Sequence, residues 1–316
     1  MADKKIGVVT KSTGSWYWVK CDDEFFECRI RGKFRIQGIR STNPVAVGDV
    51  VDIELEEGEE GVANIVGIHE RNNYIVRKST NLSKEAQVIA ANIDLAVLVA
   101  TLANPRTELR FIDRFLVTAQ AYKIPANLVF NKCDLYNDED MEEFEALKYI
   151  YDGIGYTCHL VSAATGEGVE ELRALLCEKT SLVSGNSGVG KSTLINAIDP
   201  ALVLKTGLIS DAHHKGKHTT TFAEMFDLTS GGRIIDTPGV KSFGMHKMEP
   251  DEVAHYFPEM FELLDSCKFY NCTHVHEPGC AVKTAVEEMR ISPTRYDSYL
   301  NIISGDEDVK YRGPGY

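Results

Sequence analysis

Residues 181–198 read SLVSGNSGVGKSTLINAI: a short apolar run, a glycine-rich loop, then the start of an amphipathic helix. The loop, Gly185-Asn186-Ser187-Gly188-Val189-Gly190-Lys191-Ser192-Thr193, fits the G-x-x-x-x-G-K-[ST] pattern of a phosphate-binding loop. Its residue types explain the chemistry. Glycines let consecutive backbone N–H groups turn around an anion, and the helix N-terminus adds partial positive charge. Lys191 can reach the β- and γ-phosphates, and the Ser192 hydroxyl can ligate Mg²⁺. The alternative is a glycine-rich turn without a ligand. Strand, loop and helix follow in the order the motif requires, so the segment is read as a nucleoside-triphosphate site.

Outward from this loop, strands and helices alternate. IDLAVLVA (93–100) is a continuous apolar run, as expected of a strand buried on both faces. Leu109, Ile112, Phe115, Leu116 and Ala119 recur at helical spacing. ANLVF (126–130) reads as a second buried strand and 138–150 as a charged amphipathic helix. Residues 156–161 are strand-like, 168–177 helical, and two more strands follow at 222–228 and 233–235. This rhythm predicts a parallel α/β sheet with helices on both faces.

The base is read elsewhere. Asn131-Lys132-Cys133-Asp134 directly follows ANLVF and matches the NKxD guanine reader of GTPases. The Asp134 carboxylate can accept from guanine N1–H and its exocyclic amine, a donor pair adenine cannot present. The Asn131 amide can complete the purine edge, and the Lys132 stem can cover the ring. Ser162-Ala163-Ala164 follows another strand and matches the backbone-donor loop over guanine O6. Asp236-Thr237-Pro238-Gly239 ends the strand RIID; there Asp236 can hold Mg²⁺ through water and the Gly239 N–H can sense the γ-phosphate. Together these motifs select GTP. Their order is inverted, since the guanine motifs precede the phosphate loop. A circular permutation explains the inversion, because domain termini often lie close enough to be rejoined.

The N-terminal part differs. Residues 6–70 carry short β-type runs at 6–9, 16–20, 25–36, 47–56 and 61–68, separated by turn-rich stretches. They predict a small closed barrel of the OB type, with an SH3-like barrel as the alternative. Arg77 to Lys84 reads as a linker. The whole chain, 316 residues and 43% hydrophobic, is long enough for about two domains of roughly 150 residues and a small third. No apolar run reaches the ~18–20 residues of a membrane span, and the N-terminus shows no secretory signal. A cytoplasmic location is expected. A formal net charge of −13 argues against a surface that coats nucleic acid everywhere, though not against a local basic face. Of eight cysteines, Cys21, Cys28, Cys133, Cys158 and Cys177 are scattered and read as small core residues, whereas Cys267, Cys272 and Cys280 crowd beside His274.

These features together resemble the bacterial small-ribosomal-subunit-dependent GTPases, the RsgA or YjeQ family. The resemblance extends to ERNNYIVRK (70–78), IAANID (89–94), FIDRFLV (111–117), GKHTTT (216–221) and DTPGVKSFG (236–244). It implies a multidomain fold: an OB-type barrel over residues 1–72, a circularly permuted P-loop GTPase domain over 73–246, and a helical zinc-binding domain over 247–316. It implies GTP hydrolysis on the small ribosomal subunit, late in its maturation. Carried over, Asn131, Lys132 and Asp134 read guanine, residues 185–193 cradle phosphate, and Thr219–Thr221 form a switch loop in which Thr220 is favoured as a Mg²⁺ ligand. A monomer without membrane attachment is expected.

Three features remain. Where many GTPases place a water-orienting glutamine, this chain has Val240, so intrinsic hydrolysis is expected to be slow. The family has a histidine after this motif in the pattern G-L-W-H-L-E-P. Here Gly244-Met245-His246-Lys247-Met248-Glu249-Pro250 puts His246 one residue early, with Lys247 at the ungapped position. His246 is the catalytic candidate to position water, and an exposed loop histidine is the alternative; His213, His214 and His218 are weaker rivals. Cys267-x₄-Cys272-x-His274-x₅-Cys280 offers a Cys₃His set suited to one structural Zn²⁺, with buried free cysteines as the alternative and His276 in reserve. Finally, Arg29, Arg31, Lys33 and Arg35 alternate with Ile30, Gly32, Phe34 and Ile36. Period two puts the cations on one face, read as an RNA backbone contact or else as a solvated basic strand. The leading function is a GTPase stimulated by the small subunit; the alternative is a GTP-dependent RNA-binding switch whose hydrolysis is incidental. A signalling or membrane GTPase is disfavoured by the absence of a lipidation motif.

Overall fold

The structure is a computed structural model and describes residues 4–30, 44–56, 61–77, 87–202, 223–236 and 248–305. Strands β1 (Lys4–Ser12), β2 (Tyr17–Cys21), β3 (Glu24–Ile30), β4 (Val50–Leu55) and β5 (Val62–Ile68) form the N-terminal barrel. Their order is β1-β2-β3-β5-β4, closed by pairing of β4 with β1, and only β3 and β5 run parallel. That pairing is the OB arrangement expected from the strand spacing. Alternation decides the two surfaces: Val9, Val19, Phe26, Cys28, Ile53 and Ile65 point inward and are buried, while Phe25, Glu27 and Arg29 face out. The strand expected over 25–36 is seen as far as Ile30; Arg31, Lys33 and Arg35 lie outside the described residues.

Of the stretch read as a linker only Arg77 is among the described residues, and it ends a strand. β6 (Tyr74–Arg77) pairs with β7 (Gln87–Ala91) as a separate two-stranded sheet. Each strand is too short to announce itself, and the hairpin is held by the barrel exit and the IAANID segment together. Asn73 exchanges two hydrogen bonds with the backbone of Ile93 (2.8 Å each), and Asn92 donates to the Gly48 carbonyl (2.9 Å). Ala91 N–H donates to Val47, and a β-carbon on Gly48 would lie 2.1 Å from the Ala91 carbonyl oxygen. Gly48 also has φ +89°, so glycine is demanded there twice over. Nearby, fully buried Asp49 accepts from Arg71 Nε and Nη2 (2.6 Å each) and from the Ala46 N–H. The two motifs thus weld barrel to GTPase domain.

The second domain contains β8 (Leu95–Ala100), α1 (Leu109–Ala121), β9 (Ala126–Phe130), α2 (Asp138–Gly153), β10 (Thr157–Leu160), α3 (Val169–Leu176), β11 (Thr180–Ser184), α4 (Lys191–Ile198), β12 (Glu224–Asp227) and β13 (Arg233–Asp236). The sheet order is β10-β9-β8-β11-β13-β12, parallel except for β12. Every residue of β8 is buried, because apolar layers cover both faces: Ala96 and Leu98 join one core, Leu95 and Val97 the other. The acidic start of α2 caps the helix. Asn137 and Asp140 form a reciprocal capping box, and Asp138 and Glu139 complement the helix dipole.

Residues 248–305 pack short helices against α1: α5 (Pro258–Phe261), α6 (Ala281–Glu287) and α7 (Pro293–Ser304). Helix α1 is buried on two sides. Ile112, Phe115 and Leu116 face the sheet, while Val117 enters the C-terminal core with Val253, Phe257, Met260 and Tyr299. A charged cluster sits in this contact. Arg295 of α7, 1% exposed, donates to Asp113 Oδ1 of α1 (2.7 Å) and to Glu259 Oε1 of α5 (2.7 Å). Tyr151 of α2 also donates to Asp113 Oδ1, and the Arg295 guanidinium lies 4.5 Å from the Phe257 ring centre. Burial opposes the charge on Arg295, but Asp113 and Glu259 outweigh it and raise the guanidinium pKa.

Removing Arg295 would strand a fully buried carboxylate. Arg295→Ala should cost about 3–5 kcal/mol in urea unfolding. Arg110→Ala should cost under about 1 kcal/mol, because its pair with Asp297 is solvent-exposed. Similar losses for both variants would contradict this account.

Candidate nucleotide-binding site and metal centre

Three loops at the C-terminal ends of β9, β10 and β11 meet around one side chain. Asn131, 1% exposed, follows β9; its Nδ2 donates to the Val189 carbonyl in the loop after β11 (2.9 Å). Its Oδ1 accepts from the Ala163 N–H in the loop after β10 (3.1 Å), and Tyr136 donates to the Asn131 carbonyl (2.9 Å). Both ends of the Asn131 amide are therefore engaged by backbone. The side chain expected to complete the purine edge also ties the base-side loops to the phosphate loop. Ser162, fully buried, donates from Oγ to Asp134 Oδ1 and accepts from the Thr165 N–H, so it orients the carboxylate rather than standing free. Asp134 itself is exposed. Lys132 sits in the left-handed region at φ 65°, with Nζ bonded to the Asn104 carbonyl (2.6 Å).

The phosphate loop lies where the sequence placed it, between β11 and α4, with Ser192 and Thr193 exposed. Val189 is its one fully buried residue and anchors the turn. Gly190 has φ +90°, and a β-carbon there would lie 2.5 Å from Asn131 Nδ2. Lys191 Nζ donates to the loop's own carbonyls at Gly185 (2.5 Å) and Asn186 (2.8 Å). Burial lowers its pKa, and the nearby Asp236 carboxylate partly offsets that. Asp236 ends β13, beside β11 in the sheet, which brings the last described part of DTPG up to the phosphate loop. Thr219–Thr221, with Thr220, and Gly239, Val240, His246 and the rival switch histidines lie outside the described residues.

A second cluster sits in the C-terminal region. One ligand atom from each of Cys267, Cys272, His274 and Cys280 lies within 4.8 Å of every other. His274 Nδ1 is 3.6 Å from Cys267 Sγ and 3.4 Å from Cys280 Sγ. A tetrahedral Zn²⁺ at ordinary bond lengths would separate nitrogen and sulfur ligands by about 3.6 Å, so this donor set fits such an ion. His276 is exposed and outside the cluster. Glu277 shapes the loop by accepting from Thr273, Val275 and His276; the Thr273 bonds lead in holding its carboxyl at about 2. Helix α7 supports it from behind, Tyr296 donating to the His274 carbonyl (2.6 Å) and Tyr299 to that of Thr273 (2.7 Å). Sequence reading passed over these tyrosines, and Asp113 with Arg295, because their partners are distant in the chain.

On the barrel, Arg29 is exposed and its guanidinium lies 3.8 Å from the Trp16 ring centre. Lys11 and Lys20 of the same sheet face Glu224 and Asp227 of β12. No helix among the described residues is long and apolar enough to cross a membrane.

Parallel sheet, phosphate loop and guanine-motif loops, in inverted chain order, define a circularly permuted P-loop GTPase with an attached barrel and a Cys₃His cluster. The chain belongs to the RsgA family: a model described as RsgA GTPase matches residues 68–246, and one for the RsgA N-terminal domain matches 6–63. The small ribosomal subunit biogenesis GTPase RsgA of Flavobacterium psychrophilum is 56% identical over 305 residues, covering 96% of this chain and 94% of that protein. The protein of the same name from Christiangramia forsetii is 56% identical over 312 residues, covering 98% and 99%. Among solved structures, YjeQ from Thermotoga maritima superposes with a TM-score of 0.77 at 34% identity over 96% of this chain and 98% of that one. YloQ, described as a circularly permuted GTPase, gives 0.73 at 32% identity over 99% and 98%.

The clasp at Asn131 makes a specific expectation. Gly190→Ala would push a methyl group into Asn131 Nδ2 and break its bond to Val189. Affinity for a fluorescent GTP analogue should fall about tenfold or more, the cost of losing one buried hydrogen bond and its loop geometry. Unaltered affinity would show that the two loops need not be joined.

Proposed function

We propose that this chain hydrolyses GTP during late maturation of the small ribosomal subunit, that the subunit stimulates its turnover, and that it works in the cytoplasm. The observation that carries the reading is the Asn131 amide, which brings loops with guanine-reading and phosphate-binding chemistry into one site. In this reading Asp134, steadied by Ser162, accepts from the guanine edge, the Lys132 stem covers the ring and the Ala163 loop faces O6. Asn131 completes the purine edge as well as joining the loops. Residues 185–193 wrap the phosphates, with Lys191 leaving its loop carbonyls to meet the β- and γ-oxygens.

Ser192 and Thr220, with Asp236 through water, would hold Mg²⁺, which would draw charge from the β- and γ-oxygens as the leaving bond lengthens. Gly239 would report the γ-phosphate. Val240 offers no group to orient water, so free turnover is slow and His246 is our candidate to supply that group when the subunit is bound. Arg29, with Arg31, Lys33 and Arg35, contributes phosphate contacts to rRNA. Cys267, Cys272, His274 and Cys280 hold one structural Zn²⁺ that replaces core in a small domain.

Turnover measured with and without purified small subunits tests the function. Stimulation of at least tenfold is expected, and Asp134→Asn should shift preference from GTP toward xanthosine triphosphate. Subunits that leave the rate unchanged would favour a GTP-loaded RNA-binding switch instead.

The metal has its own measurement. Elemental analysis should find about one zinc per chain, and Cys272→Ser should lose it while retaining GTP binding. A protein free of zinc and iron would remove the metal from this account.

A further inference from the structure

At the junction between barrel and GTPase sheet, β1 lies beside β12, with Lys11 opposite Glu224. Glu224 in turn is opposite Asp236 of β13. Residues directly opposite across antiparallel strands present their side chains on one face. The next pair along, Met225 and Ile235, enters the core on the other face. Two carboxylates thus face each other at the strand end, an arrangement that is unfavourable by itself. Positive charge flanks them. Lys11 Nζ lies 3.3 Å from Glu224 Oε2 and 3.4 Å from Oε1, and Asp236 acts on the ammonium of Lys191. A row across the domain junction results: Lys11 from the barrel, then Glu224 and Asp236 from the β12–β13 hairpin and Lys191 from the phosphate loop.

We propose that Lys11 and Glu224 are positioning residues that set the electrostatic field at Asp236, so that the barrel's position tunes how strongly the site attracts Mg²⁺. The inference rests on the reading of Asp236 as the Mg²⁺-side carboxylate. Glu224 adds negative charge beside that carboxylate, and Lys11 cancels it while the barrel is seated. Movement of the barrel away from β12 uncovers Glu224 and strengthens the pull on the cation. The nucleotide site is thereby coupled to a surface in another domain by two side chains. A second barrel tie, Lys20 to Asp227 (2.8 Å), sits at the other end of the hairpin, where Asp227 is opposite Arg233 rather than Asp236.

The test is a Mg²⁺ titration of affinity for a fluorescent non-hydrolysable GTP analogue, at constant ionic strength, on the full chain. Lys11→Met should lower the Mg²⁺ concentration at half-maximal tightening by about two- to fivefold, and Glu224→Gln should raise it by a similar factor. The double variant should return close to the wild-type value. Asp227→Asn, which removes the Lys20 tie but leaves Lys11 seated on Glu224, should leave the midpoint in place. Opposite signs for the two single variants are not produced by loosening alone. Shifts in the same direction, no shift, or an equal shift in Asp227→Asn would each overturn the inference. Asp236→Asn separates it from its premise. Loss of Mg²⁺ dependence there, with no opposed shifts at Lys11 and Glu224, refutes the coupling alone. Unchanged Mg²⁺ dependence in Asp236→Asn refutes the premise and the inference together.

Discussion

The site depends on one buried carboxamide. Asn131 can donate and accept at once, and it spends both capacities on backbone from two other loops. A carboxylate could not donate to Val189, and an apolar residue would leave the Val189 carbonyl and the Ala163 N–H without these partners. The bond matters more here than sequence distance suggests. Asn131 and Val189 are 58 residues apart, and no helix or strand contains both. The parallel sheet aligns the ends of β9, β10 and β11, but alignment leaves each loop free to turn. The amide removes that freedom. Asp134 then inherits its position from Ser162, and Gly190 must lack a side chain because the amide occupies the space.

A similar economy governs the C-terminal region. Helix α7 carries Arg295 toward the GTPase core and Tyr296 and Tyr299 toward the cysteine loop. One short helix therefore fixes the metal cluster relative to α1. Its buried charge is tolerable because Asp113 and Glu259 accept from Arg295 and Tyr151 donates to Asp113, although Asp113 Oδ2 has no hydrogen-bond partner among the described residues. An ion pair so enclosed adds little net stability compared with apolar packing, yet it penalises misdocking heavily. Orientation is what it contributes.

The barrel is attached by backbone and amide contacts beside the apolar side chains of Val8 and Val47, which pack into the GTPase-domain core. Asn73 and Asn92 bind main-chain groups across the junction, and Gly48 lets two backbones approach within contact. Such bonds specify angle more sharply than hydrophobic burial, which has no direction. β1 also pairs with β12, Lys11 opposite Glu224, with ion pairs at Lys11 and Lys20.

The amino-acid sequence by itself determined the nucleotide chemistry, the permuted order, the strand and helix sequence of the GTPase domain and the Cys₃His set. Each is local: a phosphate loop, a guanine tetrad or an apolar run is legible within about ten residues, because backbone geometry and ligand chemistry act over that range. The OB character of the barrel was legible from strand spacing, but its rejection of the SH3-like alternative needed the parallel β3–β5 pairing. Tertiary structure alone decided that Asn131 joins the loops after β9, β10 and β11, and that Arg77, the first residue of the expected linker, ends β6. It also decided that Asp113 meets Arg295 and that Glu224 lies opposite Asp236. Those facts join residues far apart in the chain. Hydrogen bonding and charge act through space, and the register that brings such partners together exists only once the sheets have formed.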